Sequence, residues 1–235
     1  MILIKKICVL ILISHVFFPV YILSAKQLND HQGLKEASYE KAQKTGVISN
    51  PLIKEASGIA ASSKNSNVLW IINDSANLPC LFAVSVNGQT IAQFNVKNAK
   101  NKDWEDLAFF QIDNDSFILI ADVGDNGAER KFCSLYVVKE PDIGKIRLKK
   151  DNPLEVAWQI DFQYEDGPRD CESVAVDSQK NRILLLSKRT NPPVLYELPL
   201  EKSTSQSLSK ARQIARLTQI PPPTKEDLKN KYGKY

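Results

Sequence analysis

Histidine is almost missing from this sequence. His15 and His31 are the only two in 235 residues, and both precede the region that carries regular patterning. A Ser-His-Asp or Cys-His nucleophile needs an imidazole to take its proton. Those chemistries are therefore excluded from the body of the chain, as are zinc sites built on several histidines. Cysteine is scarce as well: Cys8, Cys80, Cys133 and Cys171, with no C-x-x-C spacing that would mark a redox or zinc motif. Beyond the N-terminal segment the count is odd, and the expectation for Cys80, Cys133 and Cys171 is that of small buried apolar residues. No Walker or dinucleotide glycine pattern occurs. Neither sign of charge dominates. Net charge is +4, and Lys5 and Lys6 supply two of it. Without a clustered basic face, no nucleic-acid partner is expected.

Long apolar runs are confined to one place. Ile7 to Leu23 follow Lys5 and Lys6, no acid lies before residue 26, and Ser24-Ala25 supply small residues ahead of a polar stretch. This is the layout of a signal peptide over 1–25, with cleavage near Ala25. The competing reading is an uncleaved anchor, but 17 apolar-rich residues sit near the lower limit for a span, and Pro19 and Ser14-His15 weaken it. The expected location is periplasmic or secreted, with no stable membrane span once the segment is removed. Residues 26–50 are polar throughout and are expected to form a flexible lead-in.

From Glu55 onward, short apolar runs alternate with Asn, Asp, Gly, Ser and Pro, as in an all-β chain with frequent turns. The runs repeat. One unit holds Glu55-Ala-Ser-Gly-Ile-Ala60, Val68–Asp74, Leu81–Val86 and Thr90–Val96, with an Asn87-Gly88 hairpin turn expected to be type I′. The next holds Glu105–Ala108, Phe117–Asp122, Leu135–Val138 and a strand near Glu155–Ile160. The last holds Glu172–Val176, Arg182–Ser187, Val194–Leu198 and a strand near Arg212–Leu217. Four short strands per unit match a β-propeller blade. The expected fold is thus all-β and propeller-like, with about three four-stranded blades over 51–100, 101–165 and 166–220 and a charged tail over 221–235. Closed propellers use about 4–8 blades, so a truncated propeller is favoured over self-assembly or an open stack with an exposed edge. Trp70, Trp104 and Trp158 are expected between blades, and Asp113-Asn-Asp115 in a solvated hairpin turn.

Carboxylates are what the repeats do carry. Asp103-Trp-Glu-Asp106, Asp122-Val-Gly-Asp-Asn126, Asp170-Cys-Glu172 and Asn73-Asp74-Ser75 are dense polar groups at comparable places. The first strand of a propeller blade lines the channel, so Glu55, Glu105 and Glu172 are expected to converge. Crowded carboxylates repel unless a cation, basic partners or protons intervene. Oxygen ligands suit calcium or magnesium. Calcium is the expected cofactor, with Glu105, Asp122 and Glu172 as ligands. A ligand face is expected to use Asp74, Glu105, Asp106, Asp125, Asn126, Arg130, Arg169 and Glu172. The competing role for Asp122, Asp125 and Asn126 is turn-making, since Asp and Asn bond their own backbone.

Asn73-Asp74-Ser75, Asp103–Ala108, Ala121-Asp-Val-Gly-Asp-Asn126 with Arg130, Tyr136, Glu140-Pro141, and Tyr164–Asp170 with Glu172 together resemble a family of uncharacterised bacterial exported β-propeller proteins. The resemblance runs from about Glu55 to Leu200 and implies a fold and export, not a reaction. More distantly, an acidic propeller channel is similar to gluconolactonase-like and propeller-phytase families, which implies a divalent metal and hydrolysis of lactones or phosphate esters. The expected function is an exported module that binds a small molecule or protein. A metal-dependent hydrolase using the channel carboxylates, or an inactive truncated remnant, are the alternatives.

Overall fold

The structure is a computed structural model that describes residues 41, 43–147, 149, 152–202, 208–220, 224, 225 and 229. The expected signal peptide and most of the charged tail lie outside these residues. No helix among the described residues is long and apolar enough to cross a membrane.

The chain is all-β, as its alternating runs predict. Its strands are β1 (Ala56–Ala61), β2 (Val68–Asn73), β3 (Cys80–Ser85), β4 (Thr90–Lys97), β5 (Trp104–Ile112), β6 (Asp115–Asp122), β7 (Cys133–Lys139), β8 (Asn152–Tyr164), β9 (Cys171–Asp177), β10 (Arg182–Ser187), β11 (Val194–Pro199) and β12 (Ser209–Arg216). Consecutive strands pair antiparallel within three meanders of four, β1–β4, β5–β8 and β9–β12. The first strands β1, β5 and β9 lie side by side. At the outer edge, β8 pairs in parallel with β4 through Asn152–Glu155 and with β12 through Phe162–Tyr164. The result is one 12-stranded mixed sheet that does not close on itself.

Two cores explain the sequence pattern. Successive residues of a strand face opposite sides. In the middle meander, Ile118 and Ile120 face the first meander, where Trp70, Ile72 and Phe94 pack together with Trp104 of β5. Leu119 and Ala121 face the third, against Ile183, Leu185 and Tyr196. Both faces of β6 are covered, so its apolar run is continuous. In β10 Ile183, Leu185 and Ser187 are buried, while Leu184 and Leu186 stay half-buried on the other face. Trp70, Trp104 and Trp158 all sit in these cores.

The first meander's outward face is covered differently. Ile53 packs on Ile71, Cys80, Phe82 and Val84. The Thr45 hydroxyl donates to the Val86 carbonyl at 3.0 Å, and Asn50 Nδ2 donates to Thr90 at 3.1 Å. The described end of the lead-in is therefore laid against the β3–β4 hairpin. That hairpin is not type I′: Gly88 has φ +92°, but Asn87 is not in the left-handed region. The turn spans 86–89 and closes with Ser85 N–H on the Gln89 carbonyl. Asp113 does take positive φ, 52°, in the β5–β6 turn. Cys80, Cys133 and Cys171 are buried and form no disulfide with one another, and burial pushes the Cys133 and Cys171 thiols up to about 12.

A candidate cation site at the ends of the first strands

Each first strand contains a β-bulge at the same place. The pairing skips Ser57 between Ala56 and Gly58, Glu105 between Trp104 and Asp106, and Glu172 between Cys171 and Ser173. A bulge adds one residue to one strand and re-aims its side chain. The residue before each strand is also held alike. Glu55, Asp103 and Asp170 each accept, on the backbone carbonyl, an N–H from the end of the second strand or just beyond: Asp74 at 2.8 Å, Gly124 at 3.1 Å and Lys188 at 3.0 Å. Equivalent segments are thus Glu55-Ala-Ser-Gly-Ile-Ala60, Asp103-Trp-Glu-Asp-Leu-Ala108 and Asp170-Cys-Glu-Ser-Val-Ala175. Glu55 matches Asp103 and Asp170, and Ser57 matches Glu105 and Glu172. Alignment on the apolar-Ala pairs Ile59-Ala60, Leu107-Ala108 and Val174-Ala175 would have shown this register. Alignment on the glutamates hides it.

The bulges bring five carboxylates together. Oxygens of Asp74, Asp103 and Glu105 lie within 4.8 Å of one another, as do those of Glu105, Asp170 and Glu172. Glu105 belongs to both groups. It is only 7% exposed, and no described residue donates a hydrogen bond to its carboxylate. Burial, then Glu172, Asp74, Asp103 and Asp170, push it up to about 9. Asp103 is raised to about 6, by burial first and then by Asp74. The two groups differ in compensation. Asp170 is paired with Arg189 Nε at 2.7 Å, and Glu172 with Lys188 Nζ at 2.5 Å. Among the described residues, Asp74, Asp103 and Glu105 have no ion pair. Gly124 leaves them room, because a Cβ there would run into the carboxylate oxygens of Asp103 and Glu105.

The other expected site residues are placed differently. Asp122, expected as a metal ligand, is buried and accepts from Arg130 Nη1 at 2.8 Å and from Asp103 N–H at 3.1 Å. It is absent from both carboxylate groups. Asp125 spends its carboxylate on Glu129 N–H and Arg130 N–H, each at 2.9 Å, and gives its own N–H to Asp170. Asn126 is exposed and bonds Arg189. Asp106 reaches across to β9 and accepts from Val174 N–H at 2.8 Å. Arg169 pairs with Asp166 at 2.8 Å and lies over the Tyr164 and Tyr196 rings. The Glu55 carboxylate lies outside both groups, near Asn77. Asp103 and Asp170 complete the groups and were not among the candidates, although both begin acidic clusters in the sequence.

Compared with protein-family models and with curated proteins, the chain matches none.

Proposed function

We propose that this protein is an exported, propeller-type binding module that takes up a divalent cation through Asp74, Asp103 and Glu105 and presents it to a polar ligand. One observation carries the reading: Glu105 is buried, has no hydrogen-bond donor among the described residues, and belongs to two groups of acids of which only one holds ion pairs among the described residues. A buried carboxylate in that position favours either a proton or a cation. Oxygen donors alone suit calcium, which takes 6–8 oxygens, over softer metals. Support for the propeller comes from the three four-stranded meanders with their first strands side by side. The parallel contacts of β8 with β4 and β12 depart from that architecture, since outer strands of blades diverge. Support for export comes from the basic and apolar segments within residues 1–25.

The test is thermal melting of the mature chain with calcium, magnesium or chelator, on wild type and on Glu105→Gln. A ligand bound only to the folded form stabilises it by about 2.7 kcal/mol at a hundredfold excess over Kd. Calcium should raise the wild-type midpoint more than magnesium does, and the variant should lose the response. Equal, weak responses to both cations would mean general screening and sink the reading. A calcium-selective response would make lactones and phosphate esters the first substrates to try, and turnover lost in Glu105→Gln would favour the hydrolase alternative.

A further inference from the structure

A second polar feature lies beside the acidic face and has opposite charge. A cavity of about 60 Å³ is bounded by the loop after β6, the start of β7, the end of β8 and the segment before β9. Its wall carries Arg130, Lys131 and Arg169 against the single acid Asp125. The Asp125 carboxylate is occupied by the backbone N–H groups of Glu129 and Arg130. It does not bond to the guanidiniums.

Both arginines are held from one side only. Arg130 gives Nη1 to Asp122 and to the Gly124 carbonyl, each at 2.8 Å. Its Nε and Nη2 are buried and have no partner. Arg169 gives Nη2 to Asp166, and its guanidinium lies 5.8 Å from the Tyr164 ring centre and 5.1 Å from that of Tyr196. Its Nε is also buried without a partner. Buried polar groups in folded proteins are nearly always hydrogen-bonded, so each exception calls for a cause. Here three unpaired guanidinium nitrogens come from two residues lining one cavity. Ion pairs and ring stacking already fix the two guanidiniums, which lowers the entropy lost when an acceptor arrives.

We propose that this cavity binds an oxyanion, the carboxylate, phosphate or sulfate group of a ligand, between Arg130 and Arg169. Guanidinium N–H groups match such oxygens in geometry and charge. Asp122 and Asp166 balance the arginines from behind and hold both guanidiniums at the cavity wall. The volume fits a group of a few heavy atoms, with Phe132 and Phe162 supplying apolar wall. A small turn of either guanidinium brings its closed-off N–H groups to the incoming oxygens. The site stands on residues separate from Asp74, Asp103 and Glu105.

The experiment follows the arginine Nε–H signals of the ¹⁵N-labelled mature chain while phosphate, sulfate or acetate replaces chloride at constant ionic strength. The Arg130 and Arg169 signals should shift together and saturate, while those of Arg182 and Arg212, held in surface ion pairs, stay put. Stronger binding of phosphate and sulfate would identify a tetrahedral group, and stronger binding of acetate a carboxylate. Arg169→Gln should weaken the saturable response at Arg130 at least tenfold. If that variant does not fold, the wild-type titration decides alone. Shifts that grow linearly with every anion, or that Arg169→Gln leaves unchanged, would overturn the proposal. Glu105→Gln should keep the anion response, which separates failure of this site from failure of the cation site.

Discussion

Glu105 owes its state to the residues packed around it. Gly124 is the least conspicuous of these and sets where the Asp103 and Glu105 oxygens can lie. Its backbone is not in the left-handed region, so alanine fits the local conformation. The added methyl would meet the ends of two movable side chains, not backbone. Gly124→Ala should therefore fold, lose no more than about 1–3 kcal/mol of stability, and displace the carboxylates. Calorimetric titration with calcium should show at least tenfold weaker binding than wild type. Unchanged affinity would place the cation away from Asp103 and Glu105.

Among elements, the first strands are tied to one another by side chains bonded to backbone. The Ser57 hydroxyl donates to the Trp104 carbonyl at 2.7 Å, and Asp106 accepts from Val174 N–H at 2.8 Å. Gly58 permits the close approach of β1, since a Cβ there would lie 2.9 Å from the Asp106 backbone. A buried carboxylate at Glu140 ties the first meander to the second. It accepts from Trp70 Nε1 at 2.9 Å and from the Ser62 and Ser63 hydroxyls at 2.6 and 2.5 Å. Asp106→Ala should strand the Val174 N–H, cost about 1–3 kcal/mol, and speed hydrogen exchange at Val174 ahead of the rest of β9. Exchange that rises equally along β9 and β10 would mean global loosening instead. Much of this layer was legible in the sequence. Apolar alternation and turn residues marked the strands, and the tryptophans marked the cores. The full length of β8 was not, because its ends are set by β4 and β12, which are distant in sequence. The acids' register was not either, because a bulge inserts a residue that periodicity does not carry. Turn-making and ligand roles for Asp122 and Asp125 use the same residue types, and only the placement of Arg130 and the Glu129 amide distinguishes them.

For the whole molecule, the buried acids link stability to pH with a definite sign. Burial and neighbouring acids raise Glu105 from 4.5 to about 9, and burial raises Asp103 and Asp106 from 3.8 to about 6. Between these limits the folded chain keeps protons that the unfolded chain has released. Unfolding then releases protons, so stability falls as pH rises. Without a divalent cation, the loss should begin near pH 4, where Asp103 and Asp106 contribute, and continue through Glu105 towards pH 9. A tenfold difference in proton affinity between folded and unfolded chain corresponds to about 1.4 kcal/mol, so the total is on the order of several kcal/mol. For a domain of this size each kcal/mol moves the melting midpoint by about 2–4 °C. Melting in chelator should therefore show a midpoint that drops from pH 5 to pH 9. Saturating calcium should flatten that slope above pH 6, because the cation takes the place of the proton on Glu105. Glu105→Gln should flatten it without calcium, since the amide needs neither. A slope above pH 6 that survives in Glu105→Gln would assign that part of the linkage to other groups, and a wild-type midpoint that rises with pH above pH 6 in chelator would show that Glu105 is ionised in the fold.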